Sequence, residues 1–142
     1  MYLLDTNVVS ELRKVRTGKA DKRVEKWADS VSAADLYLSA ITVLELETGV
    51  QLIERKDKAQ GELLRTWLED YVLPAFAGRI LPVDETVARR GAVLHVPNPA
   101  PVRDSLIAAT ALVHGMTVVT RNASDFETMG VMLLNPWLKL NE

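Results

Sequence analysis

The chain predicts a three-layer α/β fold, a parallel sheet of about five strands with helices on both faces, and three observations carry that prediction. Short apolar runs of strand length alternate along the chain with longer segments whose apolar residues recur at helical spacing. The runs are apolar almost throughout, as strands covered on both faces are. At 142 residues, 48% hydrophobic and 25% charged, the chain has ordinary globular makeup. A chain of this size buries about 68–70% of its unfolded surface. One domain over residues 1–142 is the expectation.

The elements follow in order. The first strand is YLLD at 2–5, and the helix after it, 7–16, opens behind Asp5, Thr6 and Asn7, each able to cap free helix N–H groups. A helix over 21–30 leads to the strand LYLSA at 36–40. The next helix, 41–56, carries an apolar stripe of Val43, Leu46, Val50 and Ile53. A helix over 59–77 precedes the strand RILPV at 79–83, and another spans 84–95. Pro97, Pro99 and Pro101 divide it from the last helix, 102–114, which Gly115 should stop just after His114. The strands TVVT at 117–120 and VMLL at 131–134 complete the set. No internal repeat, low-complexity tract or long linker interrupts the alternation.

Composition excludes several classes of function. There is no cysteine, so disulfides and thiolate zinc sites are out, and carboxylates and two histidines are left as strong metal ligands. The N-terminus lacks signal-peptide character, and no apolar run approaches the ~18 residues of a membrane helix, so a soluble cytoplasmic protein without membrane contact is expected. A net charge of −2 makes no broad positive field, so nucleic-acid binding would have to be local.

Open α/β sheets bind ligands beyond the carboxyl ends of their strands, where strand order reverses. The residues that follow the strands are therefore the ones to weigh. Asp5 follows the first strand, and Ser39 to Thr42 open a helix carrying Glu45 and Glu47. Asp104 lies in the first turn of the 102–114 helix, and Asp125 follows TVVT through Arg121, Asn122, Ala123 and Ser124. Each acid also has a plain structural explanation. Asp5 could simply cap a helix, Asp104 could complement a helix dipole, and Asn-Ala-Ser-Asp reads as a surface turn. Against that, Ile107, Ala108 and Ala111 place Asp104 on an apolar helix face, where a carboxylate needs a partner. Periodicity leaves Glu45 and Glu47 on opposite flanks of their stripe, and either could reach the site. Clustered carboxylates repel and raise one another's pKa, so the group is more plausible around a cation. Oxygen donors without Cys or His select Mg²⁺ or Mn²⁺, and such sites polarise phosphodiesters and activate water.

Four stretches together resemble the PIN-domain ribonucleases, and more closely the VapC toxins in the branch that includes FitB. They are LLDTNVVSEL at the start, LSAITVLELETG at 38–49, RDSLIAATA at 103–111 and VVTRNASDF at 118–126. The resemblance runs to about Pro136, and it is the order and spacing of all four stretches that make it specific. It implies a three-layer α/β/α PIN-like fold and the toxin of a type II toxin–antitoxin pair, acting as a Mg²⁺- or Mn²⁺-dependent endoribonuclease that uses a metal-activated water. Asp5, Glu45, Asp104 and Asp125 are then the metal-binding and catalytic acids. Ser39, Thr42 and Gly49 keep the spacing that selects Glu45, and Asn7 and Thr120 support the carboxylates. It also implies a VapB-type antitoxin partner, an RNA substrate, a homodimer and a larger assembly with antitoxin on operator DNA.

Arg121, beside the site, is the favoured RNA contact, while Arg13, Lys14, Arg16, Lys19, Lys22 and Arg23 form a basic stretch that reads equally as solvated surface. Trp27, Trp67 and Trp137 read as packing residues, and neither His95 nor His114 as catalytic. Two rival functions are a metal-dependent phosphatase or phosphoryl-transfer protein and a non-catalytic PIN-fold binding module. The first would want a second Asp two residues after Asp5, where Asn7 stands, and the second is disfavoured by four intact acids.

Overall fold

Strand β1 (Tyr2–Leu4) lies at the centre of a five-stranded parallel sheet, flanked by β2 (Leu36–Ser39) and β4 (Thr117–Val119), with β3 (Ile80–Leu81) and β5 (Leu133–Leu134) at the edges. The computed structural model describes residues 1–138. Alternation along each strand splits the core into two layers. Leu4, Leu36, Leu38 and Val119 point to one face, and Leu3 and Val118 to the other. All six are buried, which explains why these strands read as continuous apolar runs. Each such side chain contributes about 1.5–3 kcal/mol through burial.

The first face is covered by α1 (Thr6–Leu12), α2 (Lys22–Ser30), α3 (Ala40–Lys56) and the helical run that begins with α4 (Lys58–Thr66). Trp27 is buried there with its ring edge-on to Tyr2, centroids 5.4 Å apart, and Trp67 and Trp137 pack partly buried against the same core. Packing is thus the role the three tryptophans take. On the second face, α7 (Val102–His114) buries Ile107, Ala108 and Ala111 against the sheet and pairs with α6 (Glu85–Val93).

Gly115, at φ 67, turns the chain out of α7 where a side chain would be strained. Gly61 permits close crossing of α3 and α4: a Cβ there would sit 2.6 Å from the Cα of Glu54. His95 stays out of the site. Its Nδ1 accepts from the N–H of Ala100 at 3.2 Å and its Nε2 lies 2.9 Å from the Ser105 hydroxyl, tying the proline-rich segment to α7. His114 is exposed in the last turn of α7.

Three expectations need correction. The helix expected over 59–77 is α4, then a π-helical stretch Trp67–Val72, then the short α5 (Leu73–Ala75). Leu73 bonds back five residues to the carbonyl of Leu68, and Pro74, which has no N–H to donate, follows at once, so the regular i to i−4 ladder is interrupted there. The helix expected over 7–16 keeps α geometry to Leu12 and tightens into a 3-10 turn, Arg13–Thr17, ended by Gly18 at φ 69. The turn-like Asn-Ala-Ser-Asp leads into a 3-10 helix, Ala123–Met129, because Phe126 and Met129 are buried beneath α7 and the sheet. Among the described residues no helix is long and apolar enough to cross a membrane.

Candidate active site

The order β3-β2-β1-β4-β5 reverses direction between β1 and β4, and the residues immediately beyond those two strands are Asp5 and Thr120. The main-chain N–H of Asp5 donates to the Val119 carbonyl at 2.9 Å, which ties the two strand ends together. Asp5 is 7% exposed, and its two carboxylate oxygens divide their work. Oδ1 accepts from the N–H of Thr6 at 2.8 Å as the cap of α1. Oδ2 accepts from the Thr120 hydroxyl at 2.8 Å and from Asn7 Nδ2 at 3.3 Å. Capping and site-building are thus compatible in one residue.

Asn7 and Thr120 hold this arrangement in place. Asn7 Nδ2 also reaches the Thr120 oxygen at 3.4 Å, and Asn7 Oδ1 accepts from the N–H of Arg121 at 3.1 Å. The Thr120 oxygen accepts from Asn122 N–H at 3.0 Å as well. Donors aimed at a carboxylate fix its direction.

Glu45 arrives on α3. Ser39 caps that helix, its hydroxyl accepting from Ile41 N–H at 3.0 Å, and Thr42 is buried with its hydroxyl 3.5 Å from the Leu4 carbonyl. These contacts seat the first turn of α3 against the end of β1. Thr6 then donates through its hydroxyl to Glu45 Oε1 at 2.8 Å. Glu47 goes elsewhere: it pairs with Arg65 at 2.8 Å, whose guanidinium hydrogen bond holds its carboxyl below the ordinary range. The structure therefore brings Glu45 to the site and leaves Glu47 outside it.

Asp104, in the first turn of α7, reports on the whole cluster. Its carboxyl is pushed above the ordinary range, first by burial and then by the negative charges of Asp5, Asp125 and Glu45. All four predicted acids are thus near enough to act on one of their number. Asp125 is the most open, exposed at the start of the 3-10 helix. Among the described residues no three acidic or histidine side chains form a ready ion-holding group. The donor set fits a hard divalent ion: carboxylates, a hydroxyl and an amide, with no sulfur or imidazole.

One residue beside the acids has no signal in the sequence. Arg103 Nη1 lies 3.7 Å from Glu45 Oε2, with the arginine side chain 55% exposed. Nothing local in the amino-acid order marks a pairing between residues on two different helices. The basic stretch does not form one patch. Lys14 pairs with Glu11 at 3.3 Å and Lys22 approaches Glu25 at 4.0 Å; Arg13 lies over Trp67 and Arg16 over Tyr71. Arg121 is exposed at the site's edge.

A PIN domain model matches residues 2–131 of the chain. The chain is 45% identical to Toxin FitB of Neisseria gonorrhoeae over 143 residues, covering 96% of this chain and 99% of that one. It is 41% identical to VapC ribonuclease Y4jK of Sinorhizobium fredii over 142 residues, covering 96% and 98%. Its fold superposes on the crystal structure of FitAcB from Neisseria gonorrhoeae with a TM-score of 0.86 at 42% identity, covering 96% of this chain and 99% of that one.

Proposed function

The chain belongs to the PIN-domain family, and from that premise we propose that it is the toxin of a type II toxin–antitoxin pair, an endoribonuclease that hydrolyses RNA with Mg²⁺ or Mn²⁺. The observation that carries this reading is the convergence of Asp5, Glu45, Asp104 and Asp125, from four separate segments, where strand order reverses. Similarity to a protein named as a toxin and to one named as a ribonuclease supports it.

In this reading Asp5, Glu45 and Asp104 hold the ion, and Asp125 completes the site directly or through water. A divalent ion held there would supply Lewis-acid polarisation of the phosphodiester and a water of lowered pKa. The chain's own groups do the positioning. Thr120 and Asn7 fix the direction of Asp5, and Thr6 fixes Glu45. Arg121 meets RNA phosphate at the rim. Asp104 ionises reluctantly among three like charges, so its affinity for a cation is part of the same electrostatics. The partner is a VapB-type antitoxin, the protein pairs with itself as a homodimer, and the compartment is the cytoplasm.

The test is cleavage of labelled structured RNA by the purified protein with Mg²⁺, with Mn²⁺ and with chelator, beside the Asp5→Asn variant. Metal-dependent cutting that the variant lacks is the expected result. If no RNA is cut and calorimetry detects no metal binding, the nuclease reading fails.

A further inference from the structure

Arg121, Trp137 and Arg23 are distant in sequence and meet in one cluster at the rim of the carboxylate site. The Arg121 guanidinium lies over the Trp137 ring, 5.3 Å from its centroid. Arg23 Nη1 donates to the main-chain carbonyl of Trp137 at 3.2 Å. The main chain of Arg121 is held at both ends, its N–H by Asn7 Oδ1 and its carbonyl by Asn135 Nδ2, each at 3.1 Å. Asn135 Oδ1 in turn accepts from the N–H of Trp137 at 3.0 Å. The same Asn7 that orients Asp5 therefore anchors this cluster, and the two form one hydrogen-bonded unit.

The two arginines differ from the other paired cations of the surface. Lys14, Lys22, Arg65 and Arg103 each face a carboxylate, whereas among the described residues neither Arg23 nor Arg121 has one within ion-pair distance. Both are exposed, and both have already lost side-chain freedom to Trp137. In a chain of net charge −2, two preordered guanidiniums that face no carboxylate among the described residues and lie beside the candidate site give a polyanion a local foothold.

We propose that Arg121, Trp137 and Arg23 form a track for single-stranded RNA flanking the cleaved bond, the two guanidiniums taking successive stretches of the phosphate backbone and Trp137 fixing their spacing. This rests on the nuclease reading and adds the path of the strand to it. A cation–aromatic cluster of this kind suits a single strand, whose bases and phosphates are both within reach, better than a duplex, which is read across wider grooves.

The test measures binding of a short labelled single-stranded RNA to the Asp5→Asn protein in Mg²⁺ across a salt series, with the matching RNA duplex as comparison. Arg23→Ala and Arg121→Ala should each weaken single-strand binding about threefold to tenfold and flatten the log–log salt slope by about 0.7 for each phosphate the variant no longer neutralises. Arg23→Lys should recover the slope, and Arg89→Ala, an exposed charge on α6, should change neither quantity. Thermal melting of each variant separates a track from a staple. Lower melting temperatures with affinity and slope unchanged would mean that the arginines only pin Trp137, and the track is overturned. A wild type that cuts RNA while both alanine variants bind as tightly as the parent overturns the track and leaves the nuclease standing. No binding of either RNA also overturns it, and the cleavage assay then decides separately whether the nuclease reading goes too.

Discussion

Two regions of this molecule gather carboxylates, and they treat them in opposite ways. Where α3 packs against α4 and the π-helical stretch that follows it, Glu47, Glu54 and Glu69 surround Arg65 at 2.8, 2.8 and 3.5 Å. The guanidinium lowers the Glu47 carboxyl, and the glutamates raise Arg65 in return. At the end of the sheet, the one ion pair among the described residues that Asp5, Glu45, Asp104 and Asp125 make is that of Glu45 with the exposed Arg103 at 3.7 Å, and Asp104 is pushed up. Glu45 and Glu47 are two residues apart on one helix and fall on either side of this divide. The first cluster carries its own cation and is a structural tie, whereas the second is the one to which we assign the divalent ion in the proposed function.

The largest effects should come from breaking the uncompensated cluster. Glu45→Gln should cut metal-dependent RNA cleavage about a hundredfold or more, while Glu47→Gln leaves it unchanged. Measuring both rates on one RNA is the sharpest test of the division, and equal losses would erase it. Next come the groups that aim Asp5. Thr120→Val and Asn7→Ala should each lower metal affinity or turnover about tenfold to a hundredfold, read by calorimetry and initial rates.

Stability should separate the regions in sign. Because the folded state raises the Asp104 pKa, ionised Asp104 opposes folding at neutral pH, and that opposition fades as pH falls through the carboxylate range. Asp104→Asn should therefore raise the melting temperature at neutral pH, with a gain that shrinks on acidification, even as metal binding weakens. Saturating Mg²⁺ or Mn²⁺ should stabilise the wild type, by about 2.7 kcal/mol at a hundred times Kd, and should stabilise this variant less.

Glu47 runs the other way. Its lowered pKa supports the fold above the ordinary carboxylate range, and the support is lost as pH falls below it. The smallest effect belongs to Arg65→Ala: a modest drop in melting temperature that shrinks with added salt, with cleavage intact, as befits an exposed ion network.

Much of this was legible in the amino-acid order. Strand runs, helix periods, the stop at Gly115 and the acidic residues after the strands are local signals, carried by neighbours a few positions apart, and the five expected strands and the helices expected over 21–30, 41–56, 84–95 and 102–114 stand close to where those signals put them. The departures have local causes that sequence patterns blur: Pro74 following a five-back hydrogen bond, and Phe126 with Met129 drawing a polar turn into a 3-10 helix.

What only the tertiary structure decided is which charge meets which. Periodicity leaves Glu45 and Glu47 equivalent; Arg65 and Thr6, both remote along the chain, separate them. The pairing of Arg103 with Glu45 and the meeting of Arg121, Trp137 and Arg23 likewise join residues on different elements. The physical reason is range. Backbone preference and apolar period act within a few residues, whereas Coulomb attraction and hydrogen bonding act between whatever groups the packed sheet brings within a few ångströms, as between Asp5 and Thr120.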